Sequence, residues 1–170
     1  MARAGQGLHP VQWLLLPVLA ALVATVLLAA PLRVFGLALP EPVFPLVLAY
    51  SWAVIRPSVL APFLLIVSGL FLDLFWSGRL GLWSTALLVG YAVAFGARTL
   101  MVGQGPRVLA GWYLAVVLLA FSTAYLITMV DAGIPPNLSA AALQAVFTAA
   151  LFPLARMLIE RFEDADIRFR

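Results

Sequence analysis

One acidic residue stands apart from the rest of this 170-residue chain. Asp73 is flanked on both sides by apolar sequence of helical length, in Gly69-Leu70-Phe71-Leu72-Asp73-Leu74-Phe75-Trp76. A charge in lipid is costly, so this carboxylate must face protein or water and find a partner. Gly69 lies four residues earlier, on the same helical face. It clears space there for a neighbouring backbone. Arg79 follows just after the turn Ser77-Gly78-Arg79 and is the nearest cation in sequence; Arg33, in another connector, is a second. Two roles fit Asp73: a structural acid that fixes its turn, and a contact for a partner or ligand.

The remaining residues do not assemble a catalytic set. His9 is the single His, and no second ligand or base accompanies it. The chain has no Cys, which excludes disulfides, thiolate zinc sites and Cys nucleophiles. No pair of carboxylates sits at acid/base spacing within an apolar segment. Gly103-Gln104-Gly105-Pro106 lacks the Lys and Ser/Thr of a phosphate loop. Ser68, Ser84, Thr85, Ser122, Thr123, Thr128 and Thr148 have no base beside them and read as helix-packing residues. The expectation is a protein that is not an enzyme and carries no cofactor and no metal.

The elements that must position Asp73 are apolar helices. The chain is 65% hydrophobic and 10% charged, whereas soluble domains are roughly half apolar and a quarter charged. A chain this short cannot bury such an excess in its own core, so lipid is its natural solvent. Charges and turn residues punctuate six segments: Gln12 to Pro31, Val43 to Ile55, Ser58 to Trp76, Leu80 to Ala97, Val108 to Val130 and Leu138 to Ile159. A span needs roughly 20 residues. All but the second come close to that. The first exceeds a signal-peptide core of roughly 7–15 residues and reads as a retained helix. The fold class is therefore all-α, a polytopic membrane helix bundle of six spans, with five as the rival count. Residues 1–159 form the bundle and residues 160–170 a charged cytoplasmic tail. Ile159 and Phe162 extend the last helix towards that tail.

Orientation follows from the basic residues, all of them Arg. With six spans and a cytoplasmic N-terminus, Arg3, Arg56, Arg98, Arg107, Arg156, Arg161, Arg168 and Arg170 lie inside, and only Arg33 and Arg79 outside. Omitting the second span exchanges Arg3 with Arg33 and leaves the bias unchanged, so the charge rule does not separate the two models. Both place the C-terminus in the cytoplasm and Arg79 outside. The dispersed Arg pattern does not suit nucleic acid. Trp13, Trp52, Trp76, Trp83 and Trp112 fall near segment ends, where indole rings favour the interface.

Helices in lipid meet through small residues. Ala86, Gly90 and Ala94 recur every four residues in the fourth segment, and Ala141, Ala145 and Ala149 in the sixth. Either stripe serves a contact within the bundle or a contact with another membrane protein. Pro17, Pro45, Pro62 and Pro153 sit inside segments and are expected to bend or interrupt them. Asn137 and Ser139 are equally placed to cap the last helix.

The stretch from Gly69 through Asp73, Gly78 and Arg79 to Gly81 and Leu82 resembles the signature of the rod shape-determining membrane protein MreD family. That pattern is a Gly, an Asp four residues on, a short Gly-containing turn, and a further Gly opening the next helix. Tyr50-Ser51-Trp52-Ala53-Val54 with Arg56-Pro57 resembles the family's second-helix ending. The motif likeness covers about residues 45–91; the ends match by hydropathy. The resemblance implies a non-enzymatic scaffold or regulatory subunit of the bacterial cell-elongation complex, in the inner membrane, working with an MreC-like bitopic protein, an MreB-like filament and cell-wall synthases. It also implies a fold like the substrate-binding subunits of energy-coupling-factor transporters. The alternative function is accordingly a vitamin-binding membrane subunit, which requires a pocket with several convergent polar groups near the outer face.

Overall fold

The computed structural model describes residues 10–28, 33–34, 37–38, 40–55, 58–101 and 103–167. Eight helices occur among them: α1 (Pro10–Leu28), α2 (Phe44–Ile55), α3 (Leu60–Phe75), α4 (Leu82–Gly96), α5 (Arg98–Met101), α6 (Pro106–Ala132), α7 (Leu138–Ala149) and α8 (Phe152–Ile167). The fold is all-helical apart from a two-residue antiparallel ladder, β1 (Arg33–Val34) on β2 (Leu37–Ala38), which sequence patterning did not indicate. Two stretches, Pro106–Ala132 and Leu138–Arg161, are long and apolar enough to cross a membrane; α2, α3 and α4 are shorter apolar helices.

The helix ends follow their residues. Pro106 opens α6 where its missing N–H costs nothing, and Gly133, at φ 67°, closes it. Asn137, and not Ser139, caps α7: its Oδ1 accepts from the N–H of Ser139 at 3.0 Å and of Ala140 at 3.3 Å. Of the four prolines, only Pro153 stands at a break. It lies just after the turn at Ala150–Leu151 that divides α7 from α8. Pro45 and Pro62 fall in the first turns of α2 and α3, where no intrahelical donor is lost. Pro17 is carried inside α1.

The core is built around α2. Every residue from Phe44 to Val54 is buried, and α1, α3, α4 and α8 all pack on this helix. At 12 residues it is about 18 Å long, short of a bilayer core of about 30 Å. A buried helix still needs its terminal polar groups satisfied. The N–H of Val43, just before α2, donates to Thr148 Oγ1 on α7 at 3.1 Å. At the other end, Arg98 donates from Nε to Val54 O at 3.0 Å and from Nη2 to Ile55 O at 3.2 Å. Two of the indoles pack inside the bundle: Trp52 is 1% exposed and Trp83 is 8% exposed. Trp13 and Arg56 have side chains outside the described set.

The stripe Ala86–Gly90–Ala94 is buried and faces inward. A Cβ on Gly90 would lie 3.2 Å from Leu46 Cδ1 and 3.3 Å from Val116 Cγ1, so this side of α4 is shared between α2 and α6. On α7, Ala145 is buried, while Ala141 and Ala149 are partly covered.

Candidate functional site

Asp73 sits in the last turn of α3, fully buried. Its carboxylate reaches forward to the start of α4. The N–H of Gly81 donates to Oδ2 at 2.7 Å, and the N–H of Trp83 donates to Oδ1 at 2.9 Å. Both are among the donors that a helix N-terminus leaves unpaired, and the helix dipole there favours an anion. Gly81, at φ 94°, supplies the left-handed step that aims these N–H groups back at α3. Asp73 therefore caps the helix that follows its own.

The main chain of the same residue ends α3. The N–H of Gly78 donates to Asp73 O at 2.7 Å, and the N–H of Ser77 to Leu74 O at 3.2 Å. This paired closure is a Schellman motif. Its left-handed position is held by Ser77 at φ 52°, where glycine is the usual residue.

Gly69 sets the distance between the two helices. A Cβ there would overlap the backbone N and Cα of Ser84. Ser84 in turn donates from Oγ to Ile66 O at 3.0 Å. Gly69 thus lets the first turn of α4 rest on α3, and Asp73, one turn further, caps it.

The expected cation does not pair with Asp73. Arg79 forms an ion pair with Asp131, in the last turn of α6, and its side chain is 61% exposed. The physical reason is that Asp73 points inward beneath the turn, whereas Arg79 lies on its solvent side. The side chain of Arg33 lies outside the described residues.

Residues not marked by type or spacing complete this end of the bundle. Glu41, ahead of α2, accepts the Trp76 indole N–H on Oε2 at 2.7 Å, and Gln144 Nε2 donates to Glu41 O at 2.8 Å. Tyr113 donates to Thr148 O at 2.9 Å. The end of α3, the approach to α2 and the middle of α7 are thereby tied together. Tandem hydrogen bonds through one short loop leave no residue-type pattern, which is why Glu41 and Gln144 did not stand out in the sequence. Among the described residues no three His, Asp or Glu side chains converge as a metal site would need. With an oxygen of Asp73 on each backbone donor, the arrangement is a clamp between helices. Comparison with protein-family models, curated proteins and solved structures finds no match to this chain.

Proposed function

We propose that the chain is a non-enzymatic, multi-pass subunit of the bacterial inner membrane that serves as a scaffold or regulator of the cell-elongation complex. The observation that carries the proposal is the Gly69–Asp73–Gly81 turn. The residues through which the chain resembles the MreD family form one built unit: a close approach, a carboxylate cap and a left-handed glycine. A further observation supports the bilayer as solvent. Large apolar side chains stand exposed on several helices, among them Leu16 and Leu27 on α1, Phe63 and Leu74 on α3, Val130 on α6 and Val146 on α7. Apolar exposure of this extent is abnormal for a soluble monomer.

Six passes account for the arrangement, with α7 and α8 as one bent pass. Glu41 ahead of α2 meets Trp76 at the end of α3. Asp131 at the end of α6 meets Arg79 ahead of α4. These contacts make neighbouring passes antiparallel and gather Glu41, Asp73, Arg79 and Asp131 at one end, assigned here to the outside. In that frame α2 is a pass covered by protein, which relieves it of the length a lipid-facing span needs. Partners under this reading are an MreC-like bitopic protein and, through it, an MreB-like filament and cell-wall synthases.

Depletion from a rod-shaped cell that depends on this protein is expected to give round or bulging cells, and mild solubilisation to recover an MreC-like partner. Normal width and sidewall synthesis after depletion would rule the role out. A vitamin-binding subunit is the second reading, favoured by a groove beside Asp73 at the same end. Its polar groups are already engaged within the protein, which weighs against it. Tight vitamin binding by the purified chain, with recovery of a transporter coupling subunit, would reverse the order.

A further inference from the structure

The helical stretch Leu138–Arg161 is interrupted between α7 and α8. The N–H of Ala150 still bonds four residues back, to Val146 O at 2.9 Å. The N–H of Leu151 reaches back only three, to Thr148 O at 3.1 Å. Pro153 has no N–H to give to Ala149 O. A 3₁₀ step beside a proline, inside a longer helical stretch, is a place where a helix bends.

The helix before this break is held differently from its neighbours. Of the 12 residues of α7 only Ala145 and Thr148 are buried, whereas α2, of the same length, buries every residue from Phe44 to Val54. The packing of α7 is chiefly on α6, its neighbour in the chain, while α8 packs on α2. From α4 it stands off across a groove of about 230 Å³, with Ala141 and Gln144 on one side and Leu82 and Trp83 on the other. Its ties to the centre are polar. Gln144 Nε2 donates to Glu41 O at 2.8 Å, and the N–H of Val43 donates to Thr148 Oγ1 at 3.1 Å. Both bonds reach the short stretch before α2.

We infer that α7 is a hinged strap, which pivots at Ala150–Leu151 and is latched shut by the bonds of Gln144 and Thr148 to Glu41 and Val43. A helix held by burial leaves only when the core opens. One held by two hydrogen bonds, each worth a factor of about five in the equilibrium, opens while the core stays closed. Swinging out frees the Glu41 carbonyl and the Val43 N–H and widens the groove over Trp83. The two positions therefore present different surfaces at the end that carries the Asp73 turn. In a regulatory subunit the strap is the two-state element that a partner can bias, but it does not depend on the role in elongation, and loss of that role would leave it standing.

Because the chain has no Cys, pairs of spin labels can be placed in the full-length protein in lipid nanodiscs and their separations measured by double electron–electron resonance. Leu74 on α3 and Leu143 on α7, both exposed, report the strap. Phe95 on α4 and Met157 on α8, also exposed, report the bundle beyond the hinge. The first pair is expected to give a main distance with a minor longer one, and the second pair a single distance. Gln144→Leu and Thr148→Val each remove a latch bond and should each raise the longer-to-main ratio about fivefold, with the Phe95–Met157 distance unchanged. A single Leu74–Leu143 distance with the latch intact would overturn the strap, even if a latch variant fails to fold. So would latch variants that leave the ratio unchanged, or that lengthen both pairs together, which marks loosening of the whole bundle.

Discussion

Asp73 shows how a single carboxylate can hold two helices in register. Replacing it with Ala leaves the half-buried N–H of Gly81 and the buried N–H of Trp83 without acceptors. The expected cost is about 3 kcal/mol, since each orphaned donor costs about 1–3 kcal/mol. Asp73→Asn keeps one acceptor oxygen and should lose about half as much. Thermal unfolding in detergent measures both, and equal transitions for wild type and Asp73→Ala would refute the capping role. Ser77 lies in the opposite situation. Its left-handed φ of 52° is one that an L-residue tolerates poorly, so Ser77→Gly is expected to stabilise the protein by about 1 kcal/mol. The relation of Gly69 to Asp73 was legible because i and i+4 share a helical face. The partner of Asp73 was not. Backbone N–H groups belong to every residue type and leave no mark in sequence, so the nearest cation drew attention. That cation pairs with Asp131, a contact between chain segments that lie far apart in sequence.

At the scale of the element, α2 was legible as an apolar segment, and its shortness was plain. Its position at the centre was not, because the residues that suit lipid also suit the interior of a bundle. Phe44-Pro45-Leu46-Val47-Leu48-Ala49-Tyr50 shows no polar face that would orient it. The internal hydrogen bonds of Tyr50 and Ser51 identify the setting only once the structure is known: Tyr50 donates to Leu109 O at 2.8 Å, and Ser51 Oγ approaches Ala155 O at 3.4 Å. Arg98 closes the helix. Truncation in Arg98→Ala should cost about 2 kcal/mol, in the range for hydrogen bonds to a charged donor. Arg98→Lys should recover only part of this, because one ammonium cannot reproduce the fork that meets both Val54 O and Ile55 O. Unfolding in detergent reads the ranking, and full rescue by Lys would show that charge alone suffices. The division of α7 from α8 was foreseeable from Pro153. The continuity of α2 and α3 beside their own prolines was legible only from helix starts, since proline in a first turn sacrifices no bond.

For the whole molecule, the absence of native Cys permits a direct test of the passes. A single Cys at Arg79 should react with an impermeant maleimide added to intact spheroplasts. A single Cys at Gln104, exposed between α5 and α6, should react only after permeabilisation. Six passes require the same protected behaviour from a Cys at Ala4, and labelling of that site in intact spheroplasts would favour five. The all-helical character was legible because apolar segments separated by Gly, Pro and charge have few other solutions in lipid. The order of layers was not legible, since it depends on contacts between the two halves of the chain.

The enclosure of α2 also sets an order of events during synthesis. This helix leaves the ribosome about a hundred residues before its partners, since the Thr148 hydroxyl that caps its start and the Ala155 carbonyl that receives Ser51 belong to α7 and α8. Until α7 and α8 emerge, one flank of the central helix lacks the protein surface that covers it. The bundle can therefore close only once α7 and α8 have been made, and a ribosome that stops before Leu138 leaves an α2 with one flank uncovered.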